Sequence, residues 1–418
     1  LEPKAGMGER TDFIRVQGRE VPVIPVRRLS EFAGDIAARF YGRPSEHLTV
    51  IGVTGTNGKT SVTQYVARAL AHDGPVGVIG TLGAGLLGQV QETGHTTPDA
   101  VTVQQKLAAF LDAGAGAAVM EVSSHGLHQG RVNGVGFNIA VFTNLTHEHL
   151  DYHADFDAYA EAKWRLFEMP GLETAVINHD DETGRRWLSE LPAGVKPIGY
   201  GLSDELRHPQ LWARNLRIGP GGLVLDIVAG SQEASLRSPL LGRFNASNLL
   251  AALGVLLGAG IELPEAVARL ERVSAVAGRM EQFGGGAEQP VVVVDYAHTP
   301  DALEQALHAL REHAEGKLLC VFGCGGDRDR SKRPRMGKVA RQLADIVVLT
   351  DDNPRSENPD QIIGEIQRGM DNQQNVFVER DRRSAIRYAI EQAGPGDIVL
   401  VAGKGHESEQ QIGDQRLP

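Results

Sequence analysis

The chain has 418 residues, 41% hydrophobic and 23% charged, with a formal net charge of -11. That length exceeds what one core supports, so roughly two to four domains of about 100 to 200 residues are expected. The negative balance disfavours a nucleic-acid backbone as partner, and any anionic ligand needs a local cluster of cations.

Cys320 and Cys324 are the only cysteines. They are too few for a disulfide framework and lack CxxC spacing, which favours a reducing compartment, the cytoplasm by default. The longest apolar run, Leu249 to Ile261, is shorter than the ~20 residues of a spanning helix and is expected to be a core helix. No membrane span and no short-period repeat are expected.

In chain order, "LTVIGVTGTNGKTSVTQYVARAL" (Leu48 to Leu70) reads as a buried strand, a glycine turn and a helix. The usual phosphate loop places its first glycine five positions before the Gly-Lys pair. Here Val53 occupies that position, with glycines at Gly52 and Gly55. The runs "VGVIGTL", "GAAVMEVS", "NIAVFTNL" and "TAVINHDD" then alternate with helical patterns "DAVTVQQKLAAFLDAG" and "FDAYAEAKWRLFEM", which predicts a parallel sheet with crossover helices. "LWARNLRIGPGGLVLDIVAG" changes to period two across a glycine turn and predicts an antiparallel hairpin at the sheet's flank. Two helices follow, "FNASNLLAALGVLLGAG" and "LPEAVARLERV", and "FGGGAEQP" reads as a linker or loop.

From "VVVVDYA" to "DIVLVAGKG", strands and helices alternate again, predicting a doubly wound open sheet. Ligands collect at the carboxyl ends of such strands. "GGDRDR", "DDNPR" and "GKGHE" all fall there and are expected to line one cleft.

On residue chemistry alone, Lys59 would touch phosphate oxygens and Thr60 a Mg²⁺, against the plain alternative of a glycine turn with a surface lysine. Glu121 ends a buried strand, where a carboxylate is costly unless paired, capping or holding a metal. His149 in "HEHLDYH" lies among histidines and acids, so zinc is a fair first guess that spacing cannot decide. Lys163 reads as a solvated helix-face residue. The cations of "DRDRSKRPR" other than Arg328, namely Arg330, Lys332, Arg333 and Arg335, read as a solvated helix start.

Taken together, "GVTGTNGKT", "EVSSHGL", "TNLTHEHLDYH", "AEAKW", "GRFNASN", "GRMEQF", "DYAHTPD", "GGDRDRSKRP", "DDNPR" and "GKGHE" resemble the Mur ligases of peptidoglycan synthesis, over nearly the whole chain from Val21. The resemblance implies an α/β protein of three domains. These are a truncated N-terminal UDP-binding remnant (1–47), a central P-loop ATPase-like domain with a mostly parallel sheet (48–279), and a Rossmann-like doubly wound amino-acid-binding domain (280–418). It implies ATP-dependent ligation of meso-diaminopimelate to UDP-N-acetylmuramoyl-L-alanyl-D-glutamate through an acyl phosphate, with Mg²⁺, in the cytoplasm and by a monomer with no nucleic-acid partner. The family's N-terminal domain is longer than the segment before Leu48 and relatives continue beyond "GDQRLP", so the chain is expected to be incomplete at both ends.

The resemblance also assigns residues. Gly55, Thr56, Asn57, Gly58, Lys59 and Thr60 would hold ATP phosphates, with Asn248 at adenine, Arg279 at phosphate, Asp295 at ribose and His298 more weakly placed. Glu121, His149 and Lys163 would complete the catalytic and metal set with Thr60, Lys163 as a carbamate; Glu148 stands where many relatives have aspartate. Thr96, Thr97, Ser123, Gln129 and Arg131 would bind the UDP-linked dipeptide. Arg328, Asp352, Asn353, Pro354, Arg355, Gly403 and Glu407 would bind diaminopimelate, Arg355 pairing the carboxylate that lysine lacks. The rival classes are a lysine-adding or folylpolyglutamate-synthase-like ligase, a P-loop kinase, and a noncatalytic nucleotide-sensing module.

Overall fold

Continuous runs of β-branched residues suit strands covered on both faces, and the apolar runs of this chain form parallel sheets. A computed structural model describes residues 12–24, 26–146, 152–202, 210–286 and 288–417. The chain divides into two units, Leu1–Trp212 with Asn248–Ala266, and Ala213–Ser247 with Val267–Pro418.

In the first unit the central strand Thr49–Thr54 lies between Ala117–Glu121 and Ile139–Phe142, parallel to both. Val76–Gly80 extends the sheet beyond Ala117–Glu121, and Thr174–Asn178 and Lys196–Gly201 extend it the other way. Leu211 and Trp212 pair beside Tyr200 and Gly201. At the opposite edge Gly83–Leu86 and Gln89–Gln91 turn back antiparallel.

The apolar core joins Val50, Met120, Ala140 and Ile177 of the strands to Val103, Leu107 and Phe110 of the Ala100–Asp112 helix. Fully burying each large aliphatic side chain contributes about 1.5–3 kcal/mol. The ladder register sets Val53 opposite both Glu121 and Val141, so three strands release their chains at one end of the sheet. That end is the carboxyl end, where open α/β sheets collect ligands.

In the second unit the hydrogen-bonding order is Glu281–Gly284, Val291–Asp295, Ile398–Ala402, Leu318–Phe322, Ile346–Leu349 and Val376–Val378. Only the first is antiparallel. Helices Pro300–Arg311, Lys332–Leu343 and Pro359–Gln367 share one apolar cluster with the sheet, and Arg382–Gln392 covers the other face through Ala385 and Ala389. The sheet is therefore doubly wound with three helices against one. The 283–290 stretch joins two antiparallel neighbours of this sheet. The expected period-two ribbon is present and gains a further strand, with Gly222–Ala229 antiparallel to Gln232–Ser238. No helix among the described residues is long and apolar enough to cross a membrane.

One sequence expectation for the second unit fails. Arg333, read as solvated, is fully buried at 0% exposure, because the first turn of its helix packs against the loop after Ile346–Leu349. Its guanidinium donates to both oxygens of Glu357 (2.9 and 3.0 Å), to Glu365 (2.7 Å) and to Gly325 O (3.1 Å). Arg330, by contrast, is exposed and also reaches Glu357, at 2.7 Å.

Removing one partner of a buried pair leaves an uncompensated charge, so Arg333→Ala is expected to cost about 3–5 kcal/mol in urea unfolding. Arg330→Ala should cost less than about 1 kcal/mol. The Arg333 guanidinium pulls the Glu357 carboxyl from the usual 4.5 down to about 2. Because the folded-state value is the lower one, this stabilisation is complete above pH 4.5 and is lost as pH falls toward 2. Urea midpoints measured across that window should fall less steeply for Glu357→Gln than for the unmodified chain.

Candidate functional site

The glycine loop follows directly from the central strand. Gly55 (φ 143°) and Gly58 (φ 85°) occupy backbone regions that side chains rarely enter. A Cβ on Gly55 would collide with Thr143 Oγ1, and one on Gly58 would stand 2.5 Å from Asn248 Oδ1. Val53, at the position of the usual first glycine, is a fully buried strand residue, so the turn begins later. Asn144 accepts the Asn57 N–H through Oδ1 (2.9 Å) and the Thr56 N–H through its carbonyl (2.8 Å). The Lys59 ammonium bends back over the loop to Gly55 O (2.9 Å) and Thr56 O (2.8 Å).

Glu121 is 1% exposed, and its carboxylate is satisfied by neutral donors. Thr60 Oγ1 (3.0 Å) and Thr81 Oγ1 (3.1 Å) donate to Oε2, and Thr81 N–H to Oε1 (2.8 Å). Thr81 was not expected from the sequence; its one signal is its place just after a strand that neighbours Ala117–Glu121.

From here a single hydrogen-bonded network runs through all five residues assigned to the acceptor. Thr81 Oγ1 meets Thr96 Oγ1 (3.1 Å). Thr97 Oγ1 lies 3.0 Å from Glu121 O and 3.1 Å from Ser123 Oγ. Arg131 donates to Thr97 O (2.7 Å) and Gln129 Oε1 (2.9 Å), and Gln129 donates to Tyr152 OH (3.0 Å). The adjoining helix Ala100–Asp112 is capped by Asp99, leaving Thr97 to this network.

Lys163 is 1% exposed rather than solvated. Its Nζ donates to Gly55 O (2.8 Å) and lies 4.4 Å from the centroid of the Tyr159 ring, whose hydroxyl is 3.2 Å from Thr56 Oγ1. The helix therefore turns this lysine beneath the glycine loop. His149 and Glu148 lie outside the described residues. Among the described residues no group of three or more His, Cys, Asp or Glu is placed to hold a metal.

In the second unit Asp295 ends the Val291–Asp295 strand. Its two oxygens accept Met280 N–H (2.9 Å) and Ala297 N–H (2.8 Å). Desolvation raises the carboxyl above its usual range, outweighing those bonds and the charge of Arg279. The Arg279 guanidinium stacks 4.7 Å from the Tyr296 ring, and its Nε is buried with no hydrogen-bond partner among the described residues. His298 is exposed, with Nδ1 2.8 Å from Tyr296 O; the next helix is capped by Thr299 instead.

The polar loops after three parallel strands do converge. Arg355, in the left-handed region at φ 51°, donates to Gly326 O (2.7 Å). Pro354 is buried, and its carbonyl lies where a Cβ on Gly326 would stand. Asn353 Nδ2 donates to Glu407 Oε2 (3.0 Å), while Lys404 Nζ reaches Asn353 Oδ1 (3.0 Å) and Glu407 Oε2 (2.9 Å). Burial raises the Glu407 carboxyl, but the bonds from Lys404 and Asn353 hold it below its usual range. A Cβ on Gly403 would approach Asp352 Oδ2 to 2.7 Å. Arg328 stays exposed beside this group and donates to Asp327 O at 3.2 Å. Lys404 was missed because a lysine between two glycines reads as an ordinary loop cation.

The chain is similar to known proteins over most of its length. The family models for the Mur ligase middle domain and for the Mur ligase glutamate ligase domain match residues 53–256 and 278–405. The UDP-N-acetylmuramoyl-L-alanyl-D-glutamate–2,6-diaminopimelate ligase of Coxiella burnetii is 51% identical over 403 residues, 96% of this chain and 82% of the relative. The enzyme of the same name from Alkalilimnicola ehrlichii is 53% identical over 401 residues, 95% of this chain and 80% of the relative. A solved structure of a ligase of that name superposes with a TM-score of 0.73 at 40% identity, covering 94% of this chain and 81% of the other. Folylpolyglutamate synthase of Mycobacterium tuberculosis, at 20% identity, a TM-score of 0.69 and coverage of 88% and 91%, shares the fold alone. The chain belongs to the Mur ligase family.

Proposed function

We propose that this chain joins meso-diaminopimelate to UDP-N-acetylmuramoyl-L-alanyl-D-glutamate at the expense of ATP, a step of peptidoglycan precursor synthesis carried out in the cytoplasm. The observation that carries the reading is the loop cluster of the second unit. It presents a cation, Arg355, near the acceptors Asn353 and Glu407. A diamino diacid needs such a pairing of anion and amine sites, and the 51% identical relative is named for that substrate.

The chemistry follows from what a carboxylate lacks. At neutral pH it is a poor electrophile, so its oxygen attacks the γ-phosphorus, the bond to ADP breaks, and an acyl phosphate forms. The amine nitrogen then attacks the acyl carbon, phosphate leaves with the carbon–oxygen bond, and the nitrogen gives up a proton. The protein aligns anions and neutralises their charge. Lys59 is assigned to the transferring phosphoryl oxygens, Asn248 to the base, Arg279 to a phosphate and Asp295 to the ribose. The network from Thr96 to Arg131 is assigned to the UDP-linked dipeptide.

Thr60 Oγ1 and Glu121 Oε2, 3.0 Å apart, are hard oxygen donors that fit Mg²⁺ better than zinc. When bound there, Mg²⁺ would supply charge neutralisation at the phosphates. Lys163 is assigned as a carbamate, which would turn a buried cation beside the loop into an anionic oxygen donor. Mass spectrometry at native pH that finds only the free amine would remove this assignment.

Phosphate release should require both the dipeptide acceptor and an amino acid, with meso-diaminopimelate preferred to L-lysine by about 10²-fold or more. ATP binding with no turnover under those conditions would point instead to a nucleotide-sensing module. Arg355→Ala should abolish the preference, because the extra carboxylate loses its partner. Equal use of lysine by the unmodified chain would refute the specificity. Lys59→Ala should lower turnover by roughly 10²-fold or more, the scale for losing one preorganised charge-stabilising donor; an unchanged rate would exclude the lysine from the reaction.

A further inference from the structure

The loop that carries Arg355 is held from outside as well as by its own bonds. Asp352 to Arg355 are fastened to a two-stranded ribbon that lies outside the motif, Gln410–Ile412 paired antiparallel with Gln415–Leu417. Gln410 Nε2 donates to Asp352 O (2.7 Å) and reaches Asp351 O (3.4 Å). Gln411 N–H donates to Asn353 Oδ1 (2.8 Å), fixing which way that amide faces and so directing its Nδ2 at Glu407. Arg355 N–H donates to Gln411 O (3.2 Å), and Gly413 N–H donates to Arg355 O (2.9 Å).

The ribbon thus holds both backbone groups of Arg355, the one residue of the motif in a left-handed conformation at φ 51°. A side-chain-bearing residue persists there only when its surroundings over-determine it. Asp327 adds a second fastening through Ser356, accepting its N–H (3.1 Å) and its hydroxyl (2.7 Å). Both fastenings leave the Arg355 guanidinium directed at Gly326, between the two loops.

We infer that the Gln410–Leu417 ribbon is a specificity clamp, with Gln410 and Gly413 as positioning residues that hold Arg355 and Asn353 in the geometry that selects the amino-acid substrate. This rests on the ligase reading above. The bonds that fasten the ribbon fall on Asp351, Asp352, Asn353 and Arg355, residues of the loop assigned to the amino acid. Its loss should therefore be felt in amino-acid recognition before it is felt in phosphoryl transfer.

The test is phosphate release by the full chain with UDP-N-acetylmuramoyl-L-alanyl-D-glutamate and either meso-diaminopimelate or L-lysine. Gln410→Leu removes the amide donor at similar size, and Gly413→Pro removes the N–H together with the φ of +58°. Each should raise KM for diaminopimelate about tenfold or more and shrink the preference over lysine, with kcat and the KM for ATP within about twofold. Gly413→Asn, which keeps the N–H and tolerates the left-handed region, should restore most of what Gly413→Pro loses. Gln415→Ala, exposed on the outer strand, serves as the control expected to match the unmodified chain. Unchanged KM and preference in both disruptive variants would overturn the clamp, as would a parallel loss of kcat and all KM values, the mark of a merely structural role. No turnover by the unmodified chain with either amine would show before any substitution is made; it would overturn the ligase reading, and the clamp with it.

Discussion

A carboxylate that is 1% exposed at the end of a parallel strand is the constraint on which the first unit turns. Moving an ionised group out of water costs several kcal/mol unless hydrogen bonds replace its hydration. Glu121 gets those bonds from three donors on two neighbouring segments, Thr60 from the helix after the glycine loop and Thr81 from the end of an adjacent strand. The register that sets Val53 opposite Glu121 is what brings them within reach. A slip of one residue would turn the carboxylate to the other face and strand it. The glycine loop, the carboxylate and the threonine network beside it are thus one arrangement fixed by strand pairing.

The second unit meets a similar demand by other means. Its polar loops also leave the carboxyl ends of parallel strands, but the sheet does not hold their side chains directly. Arg355 carries its side chain from a strained backbone position, and Asn353 spends its amide oxygen on Lys404 and Gln411. Fully satisfied buried polar networks fix a unique geometry, and each bond in them is stronger than it would be in water. Beneath the loops Arg333 ties Glu357, Glu365 and Gly325 into one unit, so the floor of the cluster is ionic where a hydrophobic floor would allow the loops to slide.

Element type was legible wherever the signal was local. The strands at Val76–Gly80, Ala117–Glu121 and Ile398–Ala402 and the helices at Pro300–Arg311 and Arg243–Gly258 follow from apolar period and from turn and capping residues. What depends on which strand lies beside which was not legible. Thr81 matters because Val76–Gly80 happens to neighbour Ala117–Glu121, a fact no window of sequence contains. Arg333 and Lys163 failed their local readings in the same way. Each is a charged residue that suggests water by its type, while tertiary packing turns that side chain inward. The third strand of the flanking ribbon and the Gln410–Leu417 ribbon escaped notice because short polar strands carry little period. The motifs, taken as a set, pointed to more of the candidate site than periodicity did, since a shared motif records spatial neighbours that its own spacing does not explain.

The charge distribution closes the argument. A chain of net charge -11 should repel a nucleotide, a UDP-linked acid and a diacid alike. Over a Debye length of about 8 Å at physiological salt that repulsion is largely screened, and what remains is set by the nearest groups. Beside the carboxylates near the strand ends stand cations: Lys59 folded over its loop, Arg131 on Thr97, Arg279 against Tyr296, and Arg355 between two glycine-bearing loops. Arg131 and Arg355 donate to carbonyl oxygens, which orient a cation without cancelling its charge as a carboxylate would. Arg333, whose task is structural, is instead neutralised by two glutamates. The partners of a cation therefore separate two kinds: a guanidinium bonded to neutral oxygens keeps its charge, and one paired with acids spends it on the scaffold.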